Sequence, residues 1–232
     1  MRTIGLLGGM SWHSTETYYR VIQEETARRR GGHASAPLLL DSLDFAEVRA
    51  MQVDGDWAGA GALLADAAVR LERAGADLLL IATNLMHKVA GDVEAATDVP
   101  LLHIADAVAD EAAGATRLGL LGTRWTMEEP FYADRLARRG IAVVVPPAHL
   151  RAALDAVIFD ELTQGTVSRA ARALVAEAVL FLAAEGAQAA VLGCTELGLA
   201  IEQRDTPVRL IDSARVHAVA AVDAALAPAP VV

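Results

Sequence analysis

The sequence predicts an α/β fold of two pseudo-symmetric lobes, each a mainly parallel sheet flanked by helices. Three observations predict it. Short runs rich in Leu, Ile and Val alternate with longer Ala/Leu/Arg/Glu segments, and the runs are apolar on both faces, as strands covered by helices on both sides must be. GADLLLIATN at 75–84 matches GAQAAVLGCT at 186–195, a shift of 111 (186 minus 75). IGLLGG at 4–9 matches LGLLGT at 118–123, a shift of 114 (118 minus 4). The two shifts differ by three, as small loop changes between two copies of one unit produce.

The elements follow in chain order. Strands are predicted at 3–8, 37–42, 77–82, 101–104, 117–122, 141–145, 189–193 and 208–211. Helices are predicted at about 14–30, 56–74, 85–95, 105–114, 130–139, 151–161, 167–185 and 213–226. Asp56, after Gly55, is suited to cap the long helix, and Asp212 or Ser213 the last one. In 167–185 the apolar stripe is Val167, Ala170, Leu174, Ala178, Phe181 and Leu182. The basic runs ARRR (27–30) and RLARR (135–139) read as solvated helix ends. The first lobe is expected to comprise 1–100 with 208–232, and the second 101–207. The Pro-rich tail APAPVV after Ala225 is expected to be disordered.

Composition narrows the function. With 54% hydrophobic residues in 232, the chain can bury two substantial cores. A net charge of −10 argues against nucleic acid or an anionic membrane surface as partner. No apolar run approaches the roughly 18–20 residues that span a bilayer. The run after Met1-Arg2 breaks at Gly8-Gly9, too short for a secretory signal. A single cysteine forms no internal disulfide and suits a reducing compartment, so a cytoplasmic protein is expected.

Ligands of parallel α/β sheets bind beyond the carboxyl ends of the strands. Four loops fall there: GGMS (8–11), ATNL (82–85), GTRW (122–125) and GCTE (193–196). They are the duplicated positions. A lone cysteine is commonly a buried space-filler. The repeat argues otherwise for Cys194, because it stands where the other copy carries Thr83. A helix N-terminus at that position is expected to lower the thiol pKa from about 8.5.

GGMSWHST (8–15), ATNLMHK (82–88), LHIAD (102–106), LGTRWTM (121–127), FDEL (159–162), GCTEL (193–197) and DSARVHA (212–218) together resemble the cofactor-independent aspartate/glutamate racemases. The resemblance runs in order along nearly the whole chain. It implies two similar lobes with a substrate cleft between them and one working residue per lobe, both usually cysteines. Here those positions hold Thr83 and Cys194, as in a branch associated with preference for L-Asp and L-Glu. Racemisation needs a base on one face of Cα and an acid on the other. A thiol serves either role near neutral pH, whereas a threonine hydroxyl is a poor base. Cys194 is therefore expected to abstract from the L face, with Thr83 on the side of reprotonation. A homodimer and an amino-acid substrate are also implied.

Donors around the carboxylate should stabilise the carbanion most. Asn84, Thr123 and Thr195 are the candidates, each equally suited to capping a helix. Arg49 and Gln52, in FAEVRAMQ, stand at a position the family uses for substrate contacts, Gln52 matching the motif better. Arg124 is another possible anchor. Met10, Ser11 and Leu85 complete the expected binding residues, with Glu196 set to meet the substrate ammonium or to face solvent. Leu85 and Ala82 depart from the family pattern, and His13 stands where Glu is usual.

Metal catalysis is disfavoured, since His87 and His103 lack an i,i+4 ligand pattern and Cys194 has no CxxC partner. Pyridoxal phosphate is disfavoured because Lys88 is the only lysine. GLLGGM lacks dinucleotide-binding spacing. No cofactor is expected. Two alternatives stay open: a one-cysteine decarboxylase resembling arylmalonate decarboxylase, and a non-catalytic amino-acid-binding relative.

Overall fold

The computed structural model describes residues 1–228; the last four residues of the Pro-rich tail lie outside them. The chain divides into two compact units, Met1–His103 with His217 onward, and Ile104–Val216.

The first unit runs β1 (Ile4–Gly8), α1 (Trp12–Arg30), β2 (Leu38–Ser42), α2 (Phe45–Asp54), α3 (Trp57–Arg73), β3 (Leu78–Ile81), a 3₁₀ turn (Leu85–Val89), α4 (Ala90–Ala96) and β4 (Leu101–Leu102). Its sheet is parallel, in the order β2-β1-β3-β4. Every residue of β1 and β3 is buried, because helices cover both faces. Leu7, Leu79 and Ile81 pack with Leu64, Ala67, Ala68 and Leu71 of α3 in one core.

The second unit runs α5 (Ile104–Glu111), β5 (Arg117–Leu121), α6 (Arg124–Glu128), α7 (Pro130–Ala137), β6 (Ala142–Val144), α8 (Ala148–Asp160), α9 (Arg169–Ala184), β7 (Ala189–Leu192) and β8 (Arg209–Asp212). Its parallel sheet is ordered β6-β5-β7-β8. α10 (Ser213–Leu226) starts in this unit and ends in the first.

The repeat holds at the level of register. Ile4 pairs with Leu78 and Leu118 with Ala189, so adding 114 to one partner and 111 to the other converts the first pair into the second. Both copies also end the helix before their inner strand on a glycine in the left-handed region, Gly75 (φ 97°) and Gly186 (φ 81°). The amides that follow, of Ala76 and Ala187, return to Leu71 and Leu182, the same residue in each copy (71 plus 111 is 182).

All eight predicted strands form. The boundary between lobes needs correction: β8 bonds to β7, so 208–216 belong to the second unit and the first regains the chain only at His217. VRLI joins its sequence neighbour β7 in the sheet that this neighbour already occupies. The α9 stripe is also displaced. Ala171, Val175, Ala178, Val179 and Leu182 are buried, whereas Ala170 is exposed and Leu174 and Phe181 are partly covered. Asp56 caps α3 by accepting from the Gly59 amide at 2.8 Å, and Asp212 caps α10 by accepting from Arg215 at 3.0 Å. Arg135, read as solvated, makes a two-pronged ion pair with Asp106 at 3.0 and 2.7 Å, tying α7 to α5.

Candidate active site

In the first unit, the loops after β1 and β3 stand side by side because those strands are neighbours. Gly9 has φ 88°, and a Cβ on it would lie 2.0 Å from the Leu43 carbonyl oxygen, so only glycine fits where the GGMS loop passes the end of β2. The Gly9 amide donates to Thr15 Oγ1 at 2.8 Å, and that hydroxyl donates to the Ser11 carbonyl at 3.1 Å. Met10 and Ser11 are buried. Ser11 sits at the cap position of α1 with no side-chain cap bond.

The loop after β3 is held as firmly. The Ala82 amide donates to Leu7 at 2.8 Å, and the Ala82 carbonyl accepts from Ser14 Oγ at 2.6 Å. Thr83 is half-buried, and its carbonyl meets His87 Nδ1 at 2.8 Å. Asn84 and Leu85 are buried, and the Asn84 side chain makes no cap bond to the 3₁₀ turn. From α2, buried Gln52 donates through Nε2 to Met86 Sδ at 3.3 Å, while its amide oxygen is buried without a partner. That is an acceptor awaiting a donor. Arg49 is half-buried on the same helix.

In the second unit, the loops after β5 and β7 touch: a Cβ on Gly122 would meet the Gly193 carbonyl oxygen at 3.0 Å. Buried Thr123 caps α6, accepting from the Thr126 amide at 3.4 Å. Arg124 is exposed and its guanidinium lies over the Trp125 ring, 5.3 Å from the centroid, so it packs on the surface.

Cys194 is half-buried. Its Sγ donates to Glu196 Oε2 at 3.0 Å, and Thr195 Oγ1 donates to the same oxygen at 2.7 Å. Burial pushes the thiol pKa well above its ordinary value, and the Glu196 carboxylate raises it further by charge and by accepting the thiol hydrogen. This corrects the expectation of a lowered thiol pKa. The five-residue 3₁₀ turn that follows (Thr195–Leu199) donates amides too weakly to offset a carboxylate two residues away. Although Cys194 keeps some exposure, a neighbouring anion at 3.0 Å imposes that direction at any burial. Glu196, read alternatively as solvent-facing, is buried instead.

Of the expected residues, Met10, Ser11, Arg49, Gln52, Thr83, Asn84 and Leu85 lie in the first unit, and Thr123, Cys194, Thr195 and Glu196 in the second. Sequence reasoning weighed His87 and His103 only as metal ligands and passed over Tyr18 and His217; the four pack together in the first unit. His87, His103 and His217 had been visible in ATNLMHK, LHIAD and DSARVHA. They are too far apart in the chain for any spacing rule to join them. Among the described residues no cluster of His, Cys, Asp and Glu is arranged to hold a metal. No described helix is long and apolar enough to cross a membrane.

Twin four-stranded parallel sheets, each ending in polar loops, with a thiol–carboxylate pair in one copy and a hydroxyl at its duplicate, define a two-unit α/β protein. The model of the Asp/Glu/Hydantoin racemase family matches residues 7–221, and the chain belongs to that family. A Yersinia pestis protein described as a candidate Asp/Glu racemase is 44% identical, with 98% of this chain and 100% of that one covered and a TM-score of 0.92. An aspartate racemase homologue from Pyrococcus horikoshii OT3 is 36% identical over 97% of this chain and 99% of that one, TM-score 0.82. The aspartate racemase of Picrophilus torridus shares the fold at 19% identity, covering 97% and 94%, with a TM-score of 0.76.

Proposed function

We propose that the protein racemises an acidic amino acid, aspartate or glutamate with the L form preferred, without pyridoxal phosphate or metal. Cys194 takes the Cα proton and the Thr83 side returns one. The observation that carries this reading is the Cys194–Glu196 hydrogen bond. A protonated thiol becomes a base only if its proton has somewhere to go, and Glu196 is already in hydrogen-bonding contact with it. Transfer of that proton to Glu196 leaves a thiolate. The thiolate removes the Cα proton, and the electron pair moves onto the substrate carboxylate. A second proton delivered from the other face completes inversion. No oxidant, metal or prosthetic group enters this balance.

Asn84 and Thr123 are the proposed donors to the carboxylate as its charge grows, with Thr195 contributing through its backbone amide, since its hydroxyl hydrogen goes to Glu196. The unpartnered oxygen of Gln52 is matched to the substrate ammonium, and Arg49 is the cation proposed for the side-chain carboxylate, with Met10, Ser11 and Leu85 shaping the pocket. A cytoplasmic location with no nucleic-acid or membrane partner fits the acidic charge and the single thiol, and the homodimer rests on the family resemblance.

The test is α-proton exchange: L-aspartate incubated with the protein in D2O and followed by NMR. Deuterium is expected at Cα and is expected to vanish in Cys194→Ala. Exchange at the wild-type rate in that variant would show that another group is the base. A decarboxylase would release CO2, and a binding relative would be stabilised by ligand with no exchange.

A further inference from the structure

His87, in the 3₁₀ turn that follows Thr83, packs with two further histidines, and none of the three has a part in the proposed chemistry. His87 Nδ1 lies 2.8 Å from the Thr83 carbonyl oxygen. A carbonyl only accepts, so Nδ1 carries the hydrogen. The His87 ring meets His103 edge-on at 4.5 Å between centroids and His217 at 5.7 Å. His217 Nε2 is 2.8 Å from the Leu102 carbonyl, so that nitrogen also carries hydrogen, and its Nδ1 accepts from the Tyr18 hydroxyl at 2.8 Å. All four rings are buried. They come from α1, the 3₁₀ turn, the end of β4 and α10.

We propose that His87 is a positioning residue for Thr83, locking the backbone that aims the threonine side chain. The peptide plane before Thr83 is fixed by Ser14 Oγ on the Ala82 carbonyl, at 2.6 Å. The plane after it is fixed by His87 on the Thr83 carbonyl. With both flanking planes held, φ and ψ of Thr83 are set, and with them the direction of its Cα–Cβ bond. His103 and His217 keep the His87 ring in place, and the Leu102 carbonyl selects the His217 tautomer. The repeat supplies a contrast: the position matching His87 is Gly198 (87 plus 111), so the thiol copy has no such side-chain clamp. The clamp stands only where the working group is a hydroxyl, whose weaker chemistry tolerates less misalignment. Desolvation holds His87 neutral, with the neighbouring imidazoles adding to that effect.

The inference rests on the racemase reading, and the experiment separates the two. In D2O with L-aspartate, two rates are measured in one sample: deuteration of the recovered L form, which needs the Cys194 side alone, and formation of the D form, which also needs the Thr83 side. His87→Leu is expected to lower the ratio of D-product formation to L-exchange about tenfold, and His87→Asn, which keeps an N–H near the Nδ1 position, to restore it to within about threefold of wild type. Loss of folded protein scales both rates and leaves their ratio untouched. If His87→Leu does not fold, His87→Gln, whose amide reaches past the Nδ1 position, must lower the ratio. An unchanged ratio in the variant that folds overturns the inference and leaves the racemase reading standing. Absence of any exchange in wild type overturns the racemase reading and the inference with it.

Discussion

Cys194 and Glu196 share one hydrogen across 3.0 Å, and the same carboxylate oxygen accepts from Thr195 at 2.7 Å. The pair stores the thiol in its protonated form and, in the proposed mechanism, supplies the acceptor that activates it. Glu196→Gln separates these effects. Without the negative charge the thiol pKa falls toward its ordinary value, and each unit regained multiplies the thiolate fraction tenfold. Alkylation of the sole thiol by iodoacetamide at pH 8 should therefore speed up about tenfold, while α-exchange of L-aspartate slows about 100-fold for want of an acceptor. Faster alkylation with undiminished exchange would show that Glu196 restrains the thiol without serving it.

Thr83→Cys tests the other face. A hydroxyl can hand over a proton but scarcely remove one from carbon, so wild-type turnover should be lopsided toward L substrates. A thiol at 83 supplies the missing base, and turnover of D-aspartate is expected to rise at least about tenfold with L-aspartate little changed. Unchanged D turnover would place the asymmetry in pocket shape.

The sheets were legible because a parallel strand buried on both faces must be apolar throughout, and LLLI or AAVL admits little else. Even the strand register was implicit, in the paired shifts of 111 and 114. Helix α2 was missed. Its FAEVRAMQVD face buries only Val48 and Gln52, too few apolar positions to show a helical period. The site was readable as residues but not as electrostatics: GCTE announces thiol, hydroxyl and carboxylate, yet whether Glu196 turns outward or onto Cys194 depends on side-chain packing. The histidine cluster was illegible for another reason. Its members are 16 and 114 residues apart (87 to 103, and 103 to 217), and only the fold joins them.

Gly9→Ala should be among the costliest small changes in the chain. The added carbon would overlap the Leu43 carbonyl oxygen at 2.0 Å, and φ of 88° is unfavourable for any L side chain. A loss of at least about 2 kcal/mol is expected by urea denaturation. Gly31→Ala is the control for a positive φ alone, since nothing lies within 4 Å of its would-be Cβ. A smaller cost at position 31 than at position 9 is required. Equal costs would mean that backbone strain, and not the approach of β2, decides.

Stability against pH should form a plateau with a different residue bounding each side. His87 is held below its ordinary 6.5 in the folded chain. Above 6.5 the ring is neutral in both states and its contribution is intact. As pH falls below 6.5 the unfolded chain takes up a proton that the native one refuses, so stability declines by up to about 1.4 kcal/mol per pH unit. Cys194 mirrors this, held above its ordinary 9.0. Beyond 9.0 the unfolded thiol ionises while the native one does not, so the native state binds more protons and stability falls as pH rises. Buried Tyr132, also raised, adds to that decline only above its ordinary 10.0. Urea midpoints should therefore be flat between pH 7 and 8.5 and drop at both pH 5.5 and pH 9.5. His87→Asn should flatten the acid limb alone and Cys194→Ala the alkaline limb alone. If either substitution leaves its limb as steep as wild type, the group held in its uncharged form lies elsewhere in the core.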